Sequence, residues 1–187
     1  LIQFLWHPQK SFQFIKENIP NCDGVWVDQC FASSSGSVSQ LELIQRERVK
    51  WQFKGLYFGG IAFKHQPELV AHQDEPNYQL YPQTAAALRR VAKITAPYVD
   101  VLITSGRKTG ELPSIAKCRT LRNGARQIPF AISGAGMHAD EYRCGDVFVA
   151  ATCLQPVCDE HDVVDKCVSS FCRFSDEKLK QWVAKRP

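Results

Sequence analysis

A regular alternation limits the folds open to this chain more than any other feature. Short runs that are apolar on both faces are separated by amphipathic stretches of helical period. Residues 1–6, 24–28, 55–63, 99–104, 128–133 and 146–151 read as strands. Between them, Ser11 is placed to cap a helix whose Phe12, Ile15 and Ile19 share a face, ended by Pro20. Ser39-Gln40-Leu41-Glu42 has the form of a capping box and predicts a helix over 41–51. Pro82 opens a helix with a Leu88, Val91, Ala92 and Thr95 stripe, and Pro97 ends it. Pro113 starts another with Ile115, Cys118 and Leu121 inward, and Gly124 is expected to be its left-handed C-cap. A short turn over 138–143 and a last helix capped by Ser175 complete the series.

A β-α-β-α series builds a parallel sheet, and strands apolar on both faces fit one that is covered on both sides. Two α/β architectures follow: a (β/α)8 TIM-type barrel, or an open doubly wound parallel sheet. A dinucleotide fingerprint should follow the first strand of the doubly wound form, and none does. Gly134-Ala135-Gly136 instead follows the fifth run, which suits a barrel whose phosphate site forms from its last loops. The barrel is the expected fold, as a single partial domain over 1–187 with a cysteine-bearing insertion at about 153–172.

Composition narrows the function classes. Of the 187 residues 44% are hydrophobic, enough for a real core, which excludes a disordered chain. No apolar run reaches the roughly 18–20 residues of a membrane helix, so no membrane insertion is expected. The net charge of +4 is spread along the chain with no aromatic-basic platform, so nucleic acid is not an expected partner. Eight cysteines include Cys144, Cys153, Cys158, Cys167 and Cys172 near the tail, where the closest spacing is C-x4-C. Zinc sites favour tighter pairs, so the reading is reduced thiols with no metal and no cofactor, the alternative being a disulfide or two within 153–172 whose pairing the sequence leaves open. Free thiols point to a soluble cytoplasmic protein, or to an organelle after loss of a presequence.

In either architecture the chemistry belongs at the carboxyl ends of the strands. Asp28 stands there as a candidate general base, or as a simple turn cap. Lys64, followed by His65, could hold an anion or move a proton, or merely begin a solvated loop. Ser105, Gly106, Thr109 and Gly110 surround Arg107 and Lys108 in the loop after the fourth run. Ser133, Gly134 and Gly136 offer backbone N–H groups ahead of a helix start, and Thr152 could add a hydroxyl. The same glycines equally permit a tight βα turn. The basic run Lys117, Arg119, Arg122 and Arg126 is read as the solvated face of its helix.

The run Val99-Asp100-Val101-Leu102-Ile103-Thr104-Ser105-Gly106, with Thr109-Gly110 and Pro113 after it, resembles the BtpA family. Pro129 to Gly134 is similar to that family's proline-led strand ending in Ser-Gly, and Asp146 to Ala150 to its final strand. Asp23 to Asp28 and Gly55 to Lys64 fit earlier strands, so the likeness spans the chain outside 65–81 and 153–172. The resemblance implies a TIM-type barrel related to phosphate-binding barrels. It is a fold implication first, since the family is named for a protein needed for accumulation of photosystem I. Arg107, Lys108, Gln29 and the 153–172 stretch depart from the family pattern at the mouth of the implied site.

Two functions are therefore expected in competition: an enzyme on a small phosphorylated or anionic metabolite, and a non-catalytic assembly factor acting through protein contacts. A closed barrel needs eight strands in about 250 residues. The resemblance aligns the six runs here with the third to eighth, so two βα units are expected upstream of Leu1, or from a homo-oligomer or partner chain.

Overall fold

In a computed structural model of the chain, residues 2–4, 8–27, 38–62, 85–106, 112–134 and 141–149 are described. All six expected strands form: β1 (Ile2–Phe4), β2 (Gly24–Val27), β3 (Leu56–Gly60), β4 (Val101–Thr104), β5 (Phe130–Ser133) and β6 (Val147–Val149). They make one parallel sheet in the order β1-β2-β3-β4-β5-β6. The helices are α1 (Pro8–Asn18), α2 (Ser39–Lys50), α3 (Ala85–Thr95) and α4 (Ile115–Gly124), with a 3-10 turn at Ala96–Tyr98 after α3.

This strand order separates the two candidate windings. A doubly wound sheet reverses its order at a switch point and carries helices on both faces. Here the order never reverses. Phe12 and Ile15 of α1, Leu41 and Ile44 of α2, Leu88 and Val91 of α3, and Cys118 and Leu121 of α4 all join one core. That core includes Val25, Tyr57, Leu102, Phe130 and Ile132 from one face of the sheet. The alternate residues Trp26, Phe58, Val101, Ile103 and Ala131 form a second cluster on the other face. Trp26, Phe58 and Val101 lie side by side in register, as do Ile103 and Ala131. No helix contributes to this second cluster among the described residues. Helices on one side and layered side chains on the other are consistent with part of a βα barrel.

The helix ends differ from their sequence signals. α1 begins at Pro8, so Ser11 is a buried residue inside it, not its cap. α2 takes Val38 as its N-cap with no side-chain cap bond, so Ser39-Gln40-Leu41-Glu42 is not a capping box. The end of α2 is well specified: Gln52 N–H donates to Val49 O at 3.0 Å and Phe53 N–H to Arg48 O at 3.1 Å. These two bonds form a Schellman closure with Gln52 left-handed at φ 53°.

Gly124 is also corrected: it is the last residue of α4, and Ala125 is the C-cap. Its role is steric, because a Cβ there would overlap Arg89 O and lie 2.7 Å from Ala92 Cβ. The missing side chain lets α4 close on α3. The basic run is not one solvated face either. Arg119 and Arg126 are exposed, but Lys117 is buried and Arg122 is half-buried against Asp146.

Candidate functional site

Parallel strands end together, so the carboxyl ends of β3, β4 and β5 form one rim. Thr104 and Ile132 pair across β4 and β5, which brings Ser105 and Gly106 alongside Ser133 and Gly134. Gly134 has φ 92°, a left-handed turn natural to glycine, and its N–H donates to Val149 O at 3.0 Å. Ser105 Oγ donates to Gly106 O at 3.1 Å. Four of the sequence candidates thus converge on adjacent strand ends. Asp28, Lys64, Thr109, Gly110, Gly136 and Thr152 lie outside the described residues, as does the 153–172 stretch.

The residue organising this rim is Lys117, from the first turn of α4. Only 6% exposed, it sends its ammonium to Ala62 O and Ser105 O, each at 2.6 Å. These carbonyls stand just beyond the ends of β3 and β4, so one cation ties the two strand ends together. Thr104 Oγ1 adds a donor to Ile61 O at 2.8 Å. Ala62 is held between them, fully buried and with φ 51°, a conformation rare for a side chain other than glycine. Such strain persists only where its surroundings over-determine it, and it concentrates at functional sites.

Lys117 carried a legible signal. It lies four residues before Leu121 and seven before Gly124, so all three occupy one buried helix face. A cation on an apolar stripe must have a polar partner in the interior. Ala62 carried no signal of this kind.

Further packing fixes the loops from behind. Ser114 caps α4 by accepting from Lys117 N–H at 3.2 Å. Buried Tyr142 donates its hydroxyl to Pro113 O at 2.6 Å, joining the loop after β5 to the one after β4. Burial, then the neighbouring Cys118, Glu141 and Cys144, raises the Tyr142 phenol above its ordinary value. Burial likewise pushes the Cys118 thiol up to about 12, reinforced by Cys144 and opposed by Lys117. The Cys144 thiol is also raised, chiefly by burial. Neither thiol is set up as a nucleophile, which would require a lowered pKa.

Among the described residues, no group of three His, Cys, Asp or Glu side chains is placed to hold a metal ion. No described helix is long and apolar enough to cross a membrane. The rim sets Ser105 and Ser133 beside each other at adjacent strand ends, over a buried ammonium held by two carbonyls. No known family model matches the chain, and no curated protein does.

Proposed function

We propose that this chain is a BtpA-like protein forming six strands of a (β/α)8 barrel, with a small phosphorylated or anionic metabolite bound at the carboxyl ends of β4 and β5. The observation that carries the reading is the junction at those strand ends. Ser105-Gly106 and Ser133-Gly134 stand side by side, with the Lys117 ammonium buried beneath the first pair. The order and spacing of the strand motifs support the family likeness. A positive charge in a low-dielectric setting favours an anion nearby more than a surface lysine does.

Melting in the presence of millimolar inorganic phosphate tests the binding. Phosphate is expected to raise the melting temperature of the wild type and to leave Ser133→Asp unchanged, since the new carboxylate repels the anion. The absence of any shift with phosphate, sulfate or a sugar phosphate would remove the metabolite reading. A stable protein partner on native purification, with no anion response, would favour an assembly role.

A further inference from the structure

The end of the sheet opposite the rim carries a cavity. It opens at the amino-terminal ends of β2 and β3, between α1 and the turn that closes α2, with a volume of about 580 Å³. That is within the usual range for small-molecule sites, about 300–1,000 Å³. Its walls include Trp51, Phe53, Cys22 and Asp23, with Lys16 from α1 and Lys54 from the turn before β3.

Both aromatic walls are fixed before any ligand arrives. Trp51 donates Nε1–H to Glu47 at 3.0 Å, and the Lys50 ammonium sits 5.2 Å over its ring. Phe53 packs on the buried Phe12 with ring centroids 5.4 Å apart, and the Schellman closure of α2 sets its backbone. The floor is equally rigid. Leu56 N–H donates to Asp23 O at 2.8 Å, and a Cβ on Gly55 would come within 2.7 Å of the same carbonyl. Preorganised walls lower the ordering cost of binding.

The charges select the ligand class. The two lysines are both exposed, and Asp23 is the single carboxylate of the lining, so the cavity carries a net positive charge. Flat aromatic walls with ammonium groups at the mouth complement a planar ring bearing an anionic substituent. We infer that the cavity between α1 and the amino ends of β2 and β3 binds a small aromatic carboxylate. This site is separate from the rim and does not rest on the function proposed there.

2-Naphthoate is a suitable probe, with 2-naphthamide as its neutral counterpart. Calorimetric titration of the whole chain is expected to show binding of the naphthoate at millimolar or lower concentration, and at least severalfold weaker binding of the amide. The exposed double variant Lys16→Gln/Lys54→Gln should fold normally and lose most of the affinity. Bound naphthoate should also slow alkylation of Cys22, which lines the cavity, as mapped by mass spectrometry. The inference is overturned if naphthoate does not bind at these concentrations, if the amide binds equally well, or if the lysine variant keeps full affinity. Inorganic phosphate should compete weakly or not at all, so this result and the melting shift at the rim succeed or fail separately.

Discussion

Asp100 and Tyr57 hold each other by both ends. Asp100 N–H donates to Tyr57 O at 3.0 Å, while Tyr57 N–H donates to Asp100 Oδ2 at 2.7 Å. Arg48 of α2 completes the unit, bonding the same carboxylate oxygen at 2.6 Å and Gly55 O at 3.0 Å. The arrangement recurs two strands on. Asp146 N–H donates to Phe130 O at 2.8 Å, and Phe130 N–H donates to Asp146 Oδ2 at 2.8 Å. Arg122 of α4 bonds that carboxylate at 3.0 Å and Ile128 O at 2.7 Å. In each unit an aspartate just before a strand closes the amino end of the preceding strand, locked by an arginine from the helix before it. The device marks β3–β4 and β5–β6 as equivalent pairs and pins the sheet at the end opposite the rim.

The Asp100 unit should contribute more stability than its copy. Arg48 is 18% exposed and Asp100 35%, against 30% and 42% for Arg122 and Asp146. Removing Asp100 takes the carboxylate acceptor from Tyr57 N–H and from the Arg48 guanidinium, which keeps Gly55 O, in the drier setting. Asp100→Ala is expected to cost about 1–3 kcal/mol, and Asp146→Ala less, both read from urea midpoints. A double-mutant cycle on Arg48 and Asp100 should show coupling; simple additivity would mean that the two act independently.

Lys117→Met removes the cation and keeps the aliphatic volume. Ala62 O and Ser105 O would then lose a charged donor in the interior, at a cost of roughly 2–4 kcal/mol. Arg119→Met on the exposed face of the same helix should stay within about 0.5 kcal/mol. Equal effects in chemical denaturation would show that Lys117 is no more structural than its neighbour.

The sheet was legible because β2 to β6 are mostly apolar on both faces, a pattern visible in the local sequence, while β1 carries Gln3 on one face. The stripe of Leu88, Val91, Ala92 and Thr95 was legible for the same reason, and all four residues are buried. The starts of α1 and α2 were not, whereas Pro113 lies two residues before α4 begins and Pro82 lies outside the described residues. A serine before an apolar stripe looks the same whether its hydroxyl caps the helix or lies within it, and Ser11 and Ser39 both lie within. Gly124 fits the composition of a C-cap, but what it serves is contact with α3, which is distant in sequence. At the rim, turn chemistry exposed Ser105, Gly106, Ser133 and Gly134. Lys117 was legible only by phase, four residues before Leu121 and seven before Gly124, and its place in a basic run with Arg119, Arg122 and Arg126 points instead to the helix surface. The left-handed Ala62 lies between bonds made from 43 and 55 residues away, Thr104 to Ile61 O and Lys117 to Ala62 O, and no local signal encodes it.

Two glycine exchanges should act in opposite directions. Gln52 holds φ 53° on the surface at the end of α2, where glycine is the natural occupant. Gln52→Gly should stabilise by about 0.5–1 kcal/mol through relief of that conformation. Gly124→Ala should instead destabilise by roughly 1–3 kcal/mol, since the methyl group meets the backbone of α3. Thermal melts of both variants check the pair. A neutral Gly124→Ala would mean that the two helices can separate without loss.

Stability should fall in alkaline solution through Cys118. In the unfolded chain its thiol ionises near the ordinary value of 9.0, whereas in the fold burial keeps it protonated up to about 12. Between those values the folded state binds the extra proton, so folding weakens as pH rises; below the lower value the contribution is complete. One such group gives a slope of at most about 1.4 kcal/mol per pH unit. Cys144 and Tyr142, also raised by burial, act in the same sense and remain in a Cys118→Ala variant. That variant is expected to be less stable near neutrality, because it leaves a small cavity, yet to lose stability more slowly from about pH 9 upward. Urea midpoints collected for both proteins across this range measure the difference directly. Parallel slopes would show that the Cys118 thiol ionises as readily in the fold as out of it.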